Sequence, residues 1–229
     1  MGTRVVGIIL SPRLTYEAIL RDPRWLGVLI LCFLVDASAR ALLLETEIGQ
    51  LALLDQWERT ADAFGRGITD AEYAAMDAAS RNGAAYGVAT AFLGGPVLVF
   101  ALSGLLFALF RSRAPSSVTY PRVLAVVTYA SVILALREVI GAPVSYARET
   151  LASPATLALF FAVVDEASPF ARFFSIIDLF VIWWIAVLAL GMGLLVQRPA
   201  RRLAGVFVGA YVTLAVILTA AMAAAGGTA

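Results

Sequence analysis

The sequence predicts an all-α polytopic membrane protein with five transmembrane helices, a cytoplasmic N-terminus, a C-terminus outside and helical extracytoplasmic segments. First, 61% of the 229 residues are hydrophobic and 14% are charged, whereas a soluble domain carries about 25% charged residues. Second, five apolar runs are long enough to cross a bilayer. Third, arginines are concentrated in alternate connecting segments, as in cytoplasmic loops.

Residues 1–24 are predicted to form a cytoplasmic interfacial segment, and residues 25–229 a single membrane domain. The run from Val5 to Leu10 is apolar but too short to span, and Pro12 and Pro23 interrupt the segment. An amphipathic helix over Leu14 to Ile19 is expected to lie on the inner leaflet.

The five spans are predicted at about 25–44, 86–110, 123–142, 173–197 and 203–225, by length and apolar composition. In the second span, the run Gly94-Gly95-Pro96 predicts a kink, because proline removes a helical hydrogen bond. The kink favours a helix-packing role for these residues, with a gating hinge as the alternative. Gly141 and Pro143 are expected to close the third span.

Two regions are predicted to lie outside the membrane, at 45–85 and 146–172. Thr69 and Glu72 fit a capping box that begins a short helix. Gly65 and Gly67 separate it from the helix before it, so the first region is predicted to be a helical hairpin on the membrane surface. In the second region, Ser168-Pro169 is a good helix start, from which the fourth span is expected to run through to Gln197.

The orientation follows from the arginines. With the N-terminus inside, the inside segments hold ten arginines and two acids, and the outside segments hold five arginines and eleven acids. This matches the excess of positive charge in cytoplasmic loops. The inside arginines are Arg4, Arg13, Arg21, Arg24, Arg111, Arg113, Arg122, Arg198, Arg201 and Arg202. The predicted location is therefore the cytoplasmic (inner) membrane, with the chain crossing it several times.

One alternative concerns the first span. The apolar run 25–35 followed by Ala37-Ser38-Ala39 resembles a signal peptide cleaved after Ala39. The long basic region before the run and Asp36 beside the cut argue against cleavage. N-terminal sequencing that found Arg40 first would remove the first span.

Composition argues against several classes of function. The chain has no histidine, which excludes a Ser-His-Asp triad and histidine-ligated zinc. Cys32 is the only cysteine, so an internal disulfide and a multi-cysteine metal site are excluded. We therefore expect no enzyme activity, catalytic residue, cofactor or metal. The net charge of +1 predicts no nucleic-acid partner.

Three segments resemble the Yip1 domain family, and together they cover most of the chain. The first is the stretch from Phe174 to Trp183, where Asp178, Phe180 and Trp183 match the family's Asp-x-Phe-x-x-Trp pattern and Gly191 follows. The second, from Ser11-Pro12 to Arg24-Trp25, resembles the family's entry to its first helix. The third, from Arg122 to Ala130 with Pro143 after it, resembles its third helix.

The chain looks like a bacterial member of that family, which implies five helices and a cytoplasmic N-terminus. Eukaryotic members are linked to vesicle traffic and to small GTPases of the Rab type. Only 24 residues precede the first span here, whereas those proteins have a long cytoplasmic region, so small GTPase binding is not supported. For bacterial members the resemblance implies no settled activity.

Five ionisable residues fall within the spans, and charges at membrane depth mark function by default. At about 1.5 Å per residue, all five are expected in the outer half of the membrane. We predict an intramembrane charge cluster, in which structural pairing competes with an ion, proton or substrate site. Asp36 and Arg40 are spaced as an intrahelical pair, and Arg137 is suited to pair with Asp178. The cluster comprises Asp36, Arg40, Arg137, Glu138 and Asp178.

Gly205 and Gly209 form a small-xxx-small motif on the fifth span, which predicts helix packing. That packing lies either within the chain or in a homodimer. The expected partners are therefore the lipid bilayer and a membrane protein or second copy.

Two functions compete. The first is a non-enzymatic membrane scaffold or organiser of Yip1-like type, which binds lipid or membrane-protein partners. The second is a small ion- or proton-linked channel or transporter that uses the outer-half charge cluster. The absence of charges in the inner half weakens the second, since a conduction path needs polar groups through its whole depth.

Overall fold

The computed structural model describes residues 2–112, 117–161 and 168–226. Within these ranges the chain forms α-helices and no β-strand, and one isolated bridge pairs Thr156 with Asp178. The predicted all-α fold class is therefore confirmed. The α-helices are α1 (Gly2–Leu10), α2 (Pro12–Arg21), α3 (Leu26–Leu44), α4 (Glu47–Ala63), α5 (Asp70–Ser80), α6 (Gly83–Phe92), α7 (Leu98–Phe110), α8 (Tyr120–Ala130), α9 (Val132–Arg148), α10 (Pro169–Ile176), α11 (Leu179–Val196) and α12 (Ala200–Gly226).

Parts of three sequence predictions lie outside the described residues. They are Arg113 among the inside arginines, Asp165 and Glu166 among the outside acids, and the last residues of the predicted membrane domain, 227–229.

Five helical stretches of the described chain are long and apolar enough to cross a membrane. The number of predicted spans is thus confirmed, and the chain is a multi-pass integral membrane protein. Which side holds each terminus, and where the connecting helices lie, stay predictions. The spans are Leu26–Leu44, Gly83–Phe110, Tyr120–Arg148, Leu179–Val196 and Ala200–Ala225.

The second span is continuous through Pro96. Instead of a break, the turn from Leu93 to Val97 widens into a π-helix. Pro96 has no N–H to donate, and the wider turn accommodates it. Prolines and π-helical turns are both common sites of irregularity in α-helices. The irregularity expected at Gly94-Gly95-Pro96 is therefore present, in this specific form.

The third span differs from its prediction at the outer end. Gly141 and Pro143 do not close it, because α9 continues through Pro143 to Arg148. Proline removes only one backbone donor, and transmembrane helices tolerate it where the rest of the helix remains bonded. A bend at Ser131 divides the span into α8 and α9, and the Ser131 hydroxyl donates to the Val127 carbonyl at 3.0 Å, a contact that bends helices.

The fourth span also differs. The helix start at Ser168-Pro169 is confirmed, since the Ser168 hydroxyl accepts from the Ala171 N–H at 3.2 Å. However, the helix does not run through to Gln197. It ends at Ile176 as α10, and a separate helix, α11, begins at Leu179.

The predicted hairpin in region 45–85 is present as α4 and α5, which pack on one another. The capping box is confirmed. The Thr69 hydroxyl accepts from the Glu72 N–H at 3.3 Å, and the Glu72 carboxylate accepts from the Thr69 N–H at 3.0 Å. These local bonds depend on residues three apart, which is why the sequence reveals them.

The described chain separates into two compact units. The first comprises Met1–Ala37, Thr90–Glu138 and Phe180–Gly209. Its core surrounds α8, where every residue from Val123 to Ala130 is buried. The N-terminal helices α1 and α2 pack on α8. The amphipathic helix expected over residues 14–19 is therefore present within α2, and its apolar face belongs to this core.

Tyr16 makes much of the contact between α2 and α8. Its side chain is fully buried, and its hydroxyl donates to the Val126 carbonyl at 3.2 Å. Burial raises the pKa of Tyr16, because the phenolate would lose its hydration. The phenol therefore stays protonated and keeps its proton for the bond to Val126.

The second unit comprises Ser38–Ala89, Val139–Leu179 and Ala210–Ala229. It contains the α4–α5 hairpin, the C-terminal part of α9 and the whole of α10. The last turn of α3 lies against the start of α6, where a Cβ on Gly83 would collide with the Leu44 carbonyl oxygen and one on Gly87 would lie 3.1 Å from the Arg40 carbonyl carbon. Glycine at these positions lets the two helix backbones approach closely.

Candidate functional site

The interruption between α10 and α11 is the most distinctive feature of the second unit. Ile177 takes an extended conformation, with φ −80° and ψ 107°. Asp178 then immediately precedes the first residue of α11, a position at which aspartate is favoured because its side chain can accept from exposed helical N–H groups. We define the helix break as Ile176 to Leu179.

The backbone groups freed by the break bind a neighbouring loop. The Leu157 N–H donates to the Ile177 carbonyl at 2.9 Å, and the Leu179 N–H donates to the Ala155 carbonyl at 3.0 Å. These two bonds make the isolated antiparallel bridge between Thr156 and Asp178. Unbonded backbone groups are costly away from water, so this pairing allows a helix break to persist in an apolar setting.

Tyr211 on α12 also binds backbone groups at the helix break. Its hydroxyl donates to the Ile176 carbonyl at 2.6 Å and accepts from the Asp178 N–H at 3.1 Å. A single phenol therefore satisfies one acceptor and one donor of the interrupted helix.

The Asp178 side chain lies inside this arrangement. The residue is 5% exposed, and its Oδ2 accepts from the Ser153 hydroxyl at 2.6 Å. Buried carboxylates require such donors, and hydrogen bonds to a charged acceptor are among the stronger ones. The Asp178 carboxylate is thus built into the helix break.

Ser175 and Asp178 have the spacing of a capping pair for a helix that begins at Leu179. Only half of that pair is found in the structure. Asp178 precedes the helix, whereas the Ser175 hydroxyl donates to the Arg172 carbonyl at 2.7 Å.

The predicted charge cluster is distributed over both units. Asp36, Arg137 and Glu138 belong to the first, and Arg40 and Asp178 belong to the second. All except Asp178 are half-buried. Arg137 is bonded to its neighbour Glu138, with Nη2 2.7 Å from Oε1 and Nε 3.1 Å from it, a pair that the sequence argument did not propose. The cluster itself, and the pairing of Arg137 with Asp178, stay predictions.

The other residues of the family-like motif lie on α11. The rings of Phe180 and Trp183 stack with centroids 6.2 Å apart and an interplanar angle of 29°. Two turns further on, a Cβ on Gly191 would lie 2.6 Å from Val126 Cγ1 and 2.8 Å from Tyr16 Cζ. Gly191 therefore makes room for the Tyr16 ring.

The glycines predicted to serve helix packing behave differently. A Cβ added to Gly94, Gly95, Gly205 or Gly209 would meet nothing within 4 Å. In the described chain these four glycines have open space beside them, so their role in helix packing stays a prediction. The homodimer seam at Gly205 and Gly209 stays a prediction.

Two residues of the site, Ser153 and Tyr211, and one core residue of the first unit, Tyr16, were missed from the sequence. Ser153 and Tyr211 are 25 and 33 residues from Asp178, so no local pattern connects them. For Tyr16 a signal existed, because it lies with Ile19 on the apolar side of the predicted amphipathic helix.

Metal-binding side chains do not converge in the part of the chain that the structure describes. No group of three or more His, Cys, Asp or Glu residues there is placed to hold an ion. The polar groups at the helix break bind one another, which suits a structural role for Asp178.

Comparison with known proteins relates the whole membrane region to one family. The model of the Yip1 domain matches residues 6–222. Comparison with curated proteins and with solved structures gave no match. The matched range runs from α1 into α12 and contains four of the described spans and most of the fifth, so the chain belongs to the Yip1 domain family.

Proposed function

We propose that this protein is a non-enzymatic membrane scaffold or organiser, which binds lipids or other membrane proteins through its membrane-spanning helices. The Yip1 family is a non-catalytic membrane protein family. The chain's lack of histidine is in keeping with that role. Binding of a small GTPase is not part of the proposal.

The observation that carries the proposal is the uneven burial of the spans. In the most apolar 18-residue stretch of each span, 56% of the residues are buried in the third span and 50% in the fourth. Only 17%, 17% and 11% of the residues are buried in the first, second and fifth spans. Most residues of these three helices are therefore exposed or only partly buried. Such surfaces suit lateral contact with acyl chains or with other transmembrane helices.

A photoreactive amino acid on the fifth span tests this role. Val206 is 66% exposed and Ala215 on the same helix is fully buried, which makes position 215 a matched control. We expect a discrete adduct in native membranes, with a second copy, one defined membrane protein or one enriched lipid species, from position 206 but not from 215. Adducts that only mirror the bulk phospholipid composition would contradict the organiser role.

We further propose that the protein lies in the cytoplasmic membrane, with its N-terminus inside and its C-terminus outside. The distribution of arginines supports this orientation. Alkaline phosphatase is active only outside the cytoplasm, so a C-terminal fusion expressed in a bacterial host is expected to be active. A C-terminal green fluorescent protein that fluoresces, with an inactive phosphatase fusion, would reverse the assignment.

Transport remains the second candidate because of one observation. Many transporters bind their substrates at broken transmembrane helices, and here the spanning helix α11 begins at a break beside the buried Asp178 carboxylate. Here the groups freed at the break are bonded to Ser153, Tyr211 and the 155–157 backbone, which favours a static role. Ion flux through reconstituted protein separates the two functions.

A further inference from the structure

A cavity of about 420 Å³ lies within the α4–α5 hairpin. Small-molecule sites commonly have volumes of about 300–1,000 Å³ and mostly apolar walls with a few polar groups. This cavity follows that pattern, since one of its lining residues is charged. It is lined by Trp57, Thr60, Ala61, Phe64, Arg66 and Met76.

Helix α4 supplies one wall. Trp57, Thr60, Ala61 and Phe64 are spaced i, i+3, i+4 and i+7, so they share one side of the helix. Ala61 is buried, and its small side chain leaves room between the larger ones. The Trp57 ring packs edge-to-face against the Tyr86 ring, with centroids 5.3 Å apart.

The end of α4 positions Arg66 at the cavity. Gly65 has a φ of 63°, a left-handed conformation that glycine adopts without a steric penalty. The Arg66 N–H donates to the Ala61 carbonyl at 3.0 Å and the Gly65 N–H to the Asp62 carbonyl at 2.9 Å. This is a Schellman motif, which turns the chain back over the last turn of the helix.

The capping box engages Glu72, an acid whose charge interacts with Arg66. The Glu72 carboxylate accepts from both the N–H and the hydroxyl of Thr69, at 3.0 and 3.1 Å. These bonds are the main reason that the pKa of Glu72 is lowered, and the nearby charge of Arg66 contributes less. Because Thr69 engages Glu72, the Arg66 guanidinium is able to bind an incoming anion.

We propose that this hairpin cavity binds a single-chain anionic amphiphile of the fatty-acid class. Its acyl chain lies among Trp57, Phe64 and Met76, and its carboxylate pairs with Arg66. Guanidinium groups match carboxylates in shape as well as charge. The hairpin otherwise carries more acids than arginines, so recognition of the head group depends on this one cation. The site is separate from the exposed spans on which the scaffold function rests.

Photolabelling tests the proposal on the full chain in phosphatidylcholine nanodiscs. The probe is a long-chain fatty acid with a diazirine near the end of its chain, and labelled residues are located by mass spectrometry. We expect saturable labelling within residues 57–76, which the unlabelled fatty acid suppresses at least tenfold better than the alcohol of equal length. Equal suppression by acid and alcohol would overturn the role of Arg66 and with it the ligand class.

Two pairs of variants separate binding from misfolding. Arg66→Gln is expected to reduce labelling about tenfold or more, whereas Arg59→Gln, whose native side chain pairs with Asp55 at 2.9 Å and does not line the cavity, is expected to leave it unchanged. Thr60→Trp fills the cavity and is expected to abolish labelling, whereas Gln56→Trp, one turn earlier on α4, is not. Labelling that is non-saturable, or that responds equally to both members of either pair, would overturn the proposal.

Discussion

Replacing Gly191 with leucine is expected to destabilise the protein by at least about 1–3 kcal/mol, the usual cost of overpacking a core. Even a single Cβ at this position would lie 2.6 Å from Val126 Cγ1 and 2.8 Å from Tyr16 Cζ. Both atoms belong to short or rigid side chains in a buried core, so they cannot move aside cheaply. Thermal unfolding of the purified protein in detergent measures the effect, and limited proteolysis is expected to show release of α1 and α2.

Gly205→Leu is the matched control. A Cβ on Gly205 would meet nothing within 4 Å, and leucine has a higher helix propensity than glycine. The unfolding temperature of this variant is therefore expected to stay the same or rise. If both variants were destabilised equally, the loss of stability in Gly191→Leu would be a general effect of replacing a glycine in a spanning helix. The contact with Tyr16 would then not explain it.

Tyr211→Phe is expected to loosen the helix break. The change removes one hydroxyl and leaves the Ile176 carbonyl and the Asp178 N–H without the bonds that it makes to them. An unsatisfied buried polar group costs about 1–3 kcal/mol, so the combined loss is expected to be about 2–4 kcal/mol after partial relaxation. The measurements are thermal unfolding and hydrogen exchange of the Asp178 amide, which should exchange faster in the variant.

Tyr146→Phe serves as the control for that experiment, because it makes the same substitution at a tyrosine that is 48% exposed. Neither the unfolding temperature nor exchange at Asp178 is expected to change. Unaltered exchange at Asp178 in Tyr211→Phe would mean that the loop bonds alone hold the break.

The features predicted correctly from the sequence are local ones. Five spans follow from hydropathy over about 20 residues, the length that crosses a bilayer. The capping box at Thr69 depends on a neighbour three residues away. The helix start at Ser168 is also read from adjacent residues. Each signal lies within one or two helical turns, so a single sequence is enough to detect it.

The helix break was not predicted because its cause is distant. The stretch around Ile177 is apolar and reads as the start of a continuous span. What stabilises the interruption is the backbone of residues 155–157 and the Tyr211 hydroxyl. Asp178 itself was identified, since a charge in a span is rare, but its partner Ser153 was not. The small-xxx-small pattern likewise indicated Gly205, which has open space beside it, whereas Gly191 has close neighbours that only the fold reveals.

Ion and proton flux through the protein in liposomes tests the central claim, that this Yip1 family member organises the membrane rather than conducting through it. Wild type is compared with Asp178→Asn and Asp36→Asn, which remove two acids of the predicted charge cluster while keeping their size. The scaffold account predicts that none of the three proteins raises flux above that of empty liposomes. Flux through wild type that is lost in Asp178→Asn, while the variant keeps its unfolding temperature, would contradict it.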